Sequence, residues 1–185
     1  LQQQATGQAP GTATPAPGAP PAPGQPAAAP GAAAPAAPGA PAPGQTMTRE
    51  AAIAATPRVA IATPRLTGSI NLVGGRVDDL VLATYRETIQ RHSPDLVLFE
   101  PAGSPIDAVH HKHPFYAEFG HVAGAGQTLA VPNAQTVWTQ QGTGTLTPAT
   151  PVVLTWDNGQ GQTFRRTFEI DAEYLITVKD AVVNS

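Results

Sequence analysis

The sequence predicts an all-β fold, an antiparallel β-sandwich preceded by a disordered Pro/Ala/Gly-rich linker. Three observations carry that expectation. After residue 58, apolar residues recur at every second position in several short runs, the period of a strand with one covered face. Glycine, proline and asparagine clusters separate those runs and supply the turns between them. No long stretch shows the 3.6-residue period of an amphipathic helix. Roughly seven to nine short strands result, a pattern that suits two packed antiparallel sheets.

Residues 1–57 are a repetitive mixture of Ala, Pro, Gly and Gln, and hold 13 of the 21 prolines and 7 of the 18 glycines of the chain. Proline removes backbone donors and glycine loses more freedom on ordering than other residues. Nothing in this stretch can bury enough apolar surface to offset that entropy. A semi-extended tether is expected, and a groove-ligand role lacks a PxxP site flanked by a basic residue. At its end, Thr48 to Ile53 predicts at most a frayed helical turn, capped by Thr46 or Thr48 and stopped by Pro57.

Residues 58–185 hold the strands. Val59–Ala62 reads as a brief strand before Pro64. From Leu66 the set Leu66, Gly68, Ile70 and Leu72 alternates with Thr67, Ser69 and Asn71. Gly74-Gly75 tolerates the positive φ of a tight hairpin turn. On the return, Val77 and Leu80 are out of phase by one residue, which predicts a bulge at Asp78-Asp79. Asp95–Phe99 is an apolar run bounded by prolines, the mark of a buried strand. Residues 101–114 form a proline-marked loop. Phe115–Val122 and Val137-Trp138 are the next expected strands. Thr150–Trp156 and Thr163–Ile170 form a second hairpin around the turn residues Asp157 to Gly161. On its return arm Phe164, Arg166, Phe168 and Ile170 share one parity. Tyr174–Val183 is the last strand, with Tyr174, Ile176 and Val178 on one face.

Composition excludes several function classes. The formal net charge is −3, with no basic cluster longer than Arg165-Arg166. Nucleic acid is therefore not an expected partner, since phosphate neutralisation needs clustered cations. Cysteine is absent, which rules out disulfides and thiolate chemistry and leaves the compartment open. No apolar window reaches the length of about 18 residues that a membrane helix needs. The start Leu1-Gln2-Gln3-Gln4 lacks the charged and apolar regions of a signal peptide.

Few constellations could carry chemistry. His110-His111-Lys112-His113, with His121 nearby, is the metal-like cluster. Adjacent histidines point apart, so only His111 and His113 have a usable spacing, and a structural zinc site wants four ligands. A solvated loop outweighs adventitious metal binding. Asp78-Asp79 could be a carboxylate pair, but acid–base work needs both to face one cleft, and bulge residues are the simpler reading. Glu118 lies on the parity opposite the neighbouring aromatics, hence exposed. Arg165-Arg166 is expected to pair with sheet acids. No nucleophile elbow, phosphate loop or dinucleotide fingerprint is present. No catalytic, cofactor-binding or metal residue is assigned.

Three runs, PRLTGSINLVGGRVDDLVLATYRET (64–88), HPFYAEFG (113–120) and TPVVLTWDNGQGQTFRRTF (150–168), resemble the periplasmic domain of the YidC membrane-protein insertases. The likeness is strongest to alphaproteobacterial members and covers most of residues 58–185. The resemblance implies a part of a β-supersandwich like that of galactose mutarotase. It implies a non-catalytic periplasmic domain, the N-terminal portion of a longer one, in a parent that inserts and folds inner-membrane proteins alone or with the Sec translocon. Nascent membrane proteins and Sec components are then the partners, met through the parent. The location is the periplasmic face of the bacterial inner membrane. The chain is expected to begin after the parent's first membrane helix. The resemblance also gives His113 a structural motif position. The rival from another class is a carbohydrate-binding or mutarotase-like sandwich, for which no matching catalytic His and Glu can be placed.

Overall fold

The computed structural model describes residues 47–106 and 114–184. Residues 1–46 of the linker expected at 1–57, and the histidines His110, His111 and His113, lie outside the described residues.

Among the described residues, eight strands form two four-stranded antiparallel sheets in which each strand neighbours the next in sequence. The first sheet holds β1 (Arg58–Ala62), β2 (Leu66–Asn71), β3 (Arg76–Arg86) and β4 (Asp95–Phe99). The second holds β5 (Thr139–Gln140), β6 (Val152–Asp157), β7 (Gln162–Ile170) and β8 (Ile176–Asn184). The all-β sandwich expected from the period-two runs is therefore the observed architecture.

Alternation sends one set of side chains from each sheet into a shared core. Val59, Ile61, Leu66, Ile70, Val77 and Leu80 come from the first sheet, and Val152, Leu154, Phe164, Phe168 and Ile170 from the second. Trp138 and Leu146 join them from the connections. Burial of side chains of this size stabilises by about 1.5–3 kcal/mol each. Backbone bonds also stitch the connections to the first sheet: Leu146 N–H donates to Ala60, Ala62 N–H to Leu146, and Trp138 N–H to Leu72.

The bulge sits where the phase slip placed it. Ser69 pairs with Asp79 and Ile70 with Val77, leaving Asp78 as the extra residue. Because the strand gains one residue there, Val77 and Leu80 both reach the core despite their odd spacing. Gly68 lies against this distortion at φ +155, and an added Cβ would fall 2.0 Å from the Asp79 carbonyl oxygen. Only glycine permits that approach.

Several expectations are corrected. The turn is longer than Gly74-Gly75: the ladder closes at Asn71 and Arg76, and residues 72–75 form the connection. Both glycines do take positive φ, +82 and +58, while Val73 is drawn into a bridge with Val137. Residues 115–122 do not form a strand. Ala117 alone bridges to Val77, and the Phe119 carbonyl accepts from the Arg166 side chain instead of a ladder donor. The short strand expected at Val137-Trp138 lies two residues later, at β5.

The end of the compositional linker is also ordered. Arg49–Ala54 form the helix α1, in place of the expected frayed turn. Thr48 caps it by accepting from Ala51 N–H at 3.2 Å. Six residues are too few for a helix that stands by propensity alone. Tertiary contacts hold it: Ala52 is buried, Met47 N–H donates to Gly103, and Arg49 pairs with Asp79. Ordered structure thus precedes the boundary expected at residue 58. Among the described residues no helix is long and apolar enough to cross a membrane.

Candidate functional site

Three features stand out: two buried ionic clusters and one apolar groove. The bulge on β3 builds the first cluster. Both carboxylates, Asp78 and Asp79, are almost fully buried, and each is spent on structural partners. Arg58 Nη1 donates to Asp78 at 2.7 Å and to Ser69 Oγ at 3.0 Å. Asn71 Nδ2 donates to the other Asp78 oxygen at 2.9 Å. Ser69 Oγ donates to Asp79 at 2.6 Å, and Arg49 closes the set on the remaining oxygen. The two acids share no cleft with open coordination, so the bulge reading prevails over the acid–base pair. Sequence spacing did not reveal Arg49 and Arg58 as the partners, because they come from outside the hairpin.

Arg166 forms the second cluster. Its parity among Phe164, Phe168 and Ile170 places it inside, and it has no exposed surface. A charge there must be fully partnered. Its Nε and Nη2 donate to the two oxygens of Asp180 on β8, each at 2.7 Å. Nη1 donates to the Gly75 carbonyl at 3.1 Å and Nη2 to that of Phe119 at 3.2 Å. The guanidinium also lies 5.0 Å from the centre of the Trp138 ring and 5.1 Å from that of Phe119. One side chain therefore ties β7, β8, the β2–β3 connection and the 114–131 segment together. The expected pairing of Arg165-Arg166 with sheet acids holds for Arg166, whereas Arg165 points to solvent.

His121 borders this cluster. Its Nε2 lies 3.5 Å from Asp180, and its ring meets Phe164 edge-on at 5.2 Å. Burial, the largest cause, pushes its imidazole below the usual value; Asp180 pulls it back up and Arg166 adds to the depression. Glu118 is exposed, as expected, and lies 3.9 Å from Arg76. Among the described residues no three His, Asp or Glu side chains converge as a metal-binding set.

The groove has a volume of about 470 Å³ and runs between β3–β4 and β8. Leu98 and Phe99 line it from β4, Ile176 and Val178 from β8, and Ala117 and Phe119 from the 114–131 segment. Tyr174, Ile176 and Val178 all line the groove, but the last strand begins at Ile176 rather than Tyr174, which lies in the bend before it. Phe168 is fully covered, while Trp156, Ile176 and Val178 keep part of their surface in solvent.

The fold and these clusters define a class: a two-sheet β-sandwich module whose buried charges serve structure. The YidC periplasmic domain model matches residues 58–185, and the chain belongs to that family. Its curated relatives are named membrane protein insertase YidC. The one from Bradyrhizobium diazoefficiens is 54% identical over 138 residues, covering 75% of this chain and 21% of that protein. The one from Nitrobacter hamburgensis is 52% identical over 139 residues, 75% of this chain and 22% of that protein. That of a Caulobacter species is 46% identical over 138 residues, again 75% and 21%. The chain spans about a fifth of the length of these relatives. No solved structure matches it.

Proposed function

We propose that residues 58–185 are the N-terminal portion of a non-catalytic periplasmic β-supersandwich in a membrane-protein insertase, joined by the linker 1–57 to a membrane helix of the parent. The parent inserts and folds inner-membrane proteins, alone or with the Sec translocon, and this domain works at the periplasmic face of the inner membrane. The observation that carries the reading is the family match over residues 58–185, with relatives named as insertases. The clusters support a scaffold: Asp78, Asp79 and Arg166 are consumed by partners within the fold.

A mutarotase-like enzyme would need a histidine and a carboxylate facing a sugar in one cleft. His121 does face Asp180, but Arg166 occupies both Asp180 oxygens, so that pair offers no free base. The test is deletion of residues 58–185 within the full-length parent, scored for substrate insertion and for Sec co-purification. Loss of Sec co-purification with substantial residual insertion is expected. Unchanged co-purification would remove the Sec role, and restoration by an unrelated sandwich of equal size would reduce the domain to a spacer.

A further inference from the structure

We infer that His121 is an acid-sensitive latch: neutral, it holds the 114–131 segment against β7 and β8, and protonated, it lets that segment go and opens the apolar groove. The start of the segment is held independently of His121: Glu100 N–H donates to the Phe115 carbonyl at 2.9 Å, the Phe115 ring meets Phe99 at 5.4 Å, and Arg76 lies over the Tyr116 ring and 3.9 Å from Glu118. Its backbone bonds to β3 are those between Ala117 and Val77, at 2.9 and 3.1 Å. Beyond them come the Phe119 carbonyl on Arg166, the Phe119 ring edge-on to Phe168 at 6.2 Å, and His121. Val122, the next residue, is 94% exposed. Among the described residues the chain is fastened again near Ala130, whose N–H donates to Gln160 at 2.9 Å. His121 is thus the last fastened side chain before an exposed run.

The surroundings of the imidazole suit its neutral form. Nδ1 is buried with no hydrogen-bond partner among the described residues, so a proton placed there meets no acceptor. The charged groups facing the ring are Asp180 from β8 and Arg166 from β7, with the Phe164 ring beside them. Both Asp180 oxygens already accept from Arg166. An imidazolium would therefore be a second cation on one carboxylate, in a site that penalises charge by burial. Glu118 does not offset it, since that side chain turns to Arg76. The sign follows from linkage. A histidine held below its usual value contributes stability that is complete above the unfolded value of 6.5. That stability is lost as pH falls through the lower folded value. Ala117 and Phe119 belong to the groove, so release of the segment removes part of its wall.

Hydrogen–deuterium exchange on the full chain tests the latch, at about pH 7.5 and about pH 5.5 and corrected for intrinsic rates. The Ala117 and Val77 amides are the reporters. A several-fold loss of protection across residues 115–122 at the lower pH is expected, with β6 and β7 unchanged. His121→Phe keeps the contact with Phe164 and has no proton to gain, so it should stay protected at both values. His121→Gln should show one pH-independent level. If the wild type is equally protected at both values, or if His121→Phe loses protection as the wild type does, the latch is refuted.

Discussion

Replacing Arg166 with Met tests whether one buried cation joins the two sheets. Methionine keeps most of the aliphatic volume, so the loss is mainly polar. Four donated hydrogen bonds disappear, two to Asp180 and two to the carbonyls of Gly75 and Phe119. Asp180 has a side chain 31% exposed and recovers some water, which places its share at the low end. A buried carbonyl left without a donor costs about 1–3 kcal/mol. Breaking a buried pair by removing one member costs about 3–5 kcal/mol, and the total should fall in that range. For a domain of this size that is a drop in Tm of roughly 10–20 °C. Arg166→Lys keeps the charge but not the fork, and should lose about half as much. Urea unfolding of both variants, of Asp180→Asn and of the double variant gives the coupling energy. If Arg166→Met unfolds within about 1 kcal/mol of the parent chain, or couples to Asp180 by nothing measurable, Arg166 is not the tie described.

Gly68→Ala should destabilise by about 1–3 kcal/mol or more, because its Cβ would meet the Asp79 carbonyl at 2.0 Å and neither backbone can retreat; an unchanged denaturation midpoint would contradict this. Gly75→Val adds a β-branched residue at φ +58 beside Trp138, a strain of about 1–3 kcal/mol, and differential scanning calorimetry should show the fall. Thr48→Ala removes the cap of α1 at a cost of about 0.5–2 kcal/mol, and it should raise amide exchange in residues 49–54 while leaving the sheets protected. Among the described residues no strand lies beside the outer edge of β8, and Val182 and Val183 are 51% and 55% exposed. Such an edge, next to an open apolar groove, should make the chain bind ANS or associate. Sedimentation of Val183→Lys should show less association, and a monomeric, dye-negative parent chain would mean that the face is closed.

Much of the sandwich could be read from the sequence because strand alternation is a local property. β1, β2, β4, β6 and β7 lie within two residues of the apolar runs that predict them. The bulge was legible as well, since Val77 and Leu80 can face one core only if a residue is inserted between them. Even the burial of Arg166 had a signal: an arginine on the parity of Phe164, Phe168 and Ile170. Its partners had none, because Gly75 lies 91 residues away and Phe119 47. The same holds for α1, a six-residue helix that composition placed in a linker. It is held by Arg49 reaching Asp79 thirty residues on, and a helix that short takes its stability from what it docks against. Residues 115–122 alternate as a strand should, yet they are irregular. Their side-chain pattern is local, but a strand also needs a continuous neighbour for its backbone, and these residues find only separate contacts, Phe115 with Glu100 and Ala117 with Val77. Periodicity determines which face of a segment is apolar; only the assembled chain decides whether a partner edge is there to receive its hydrogen bonds.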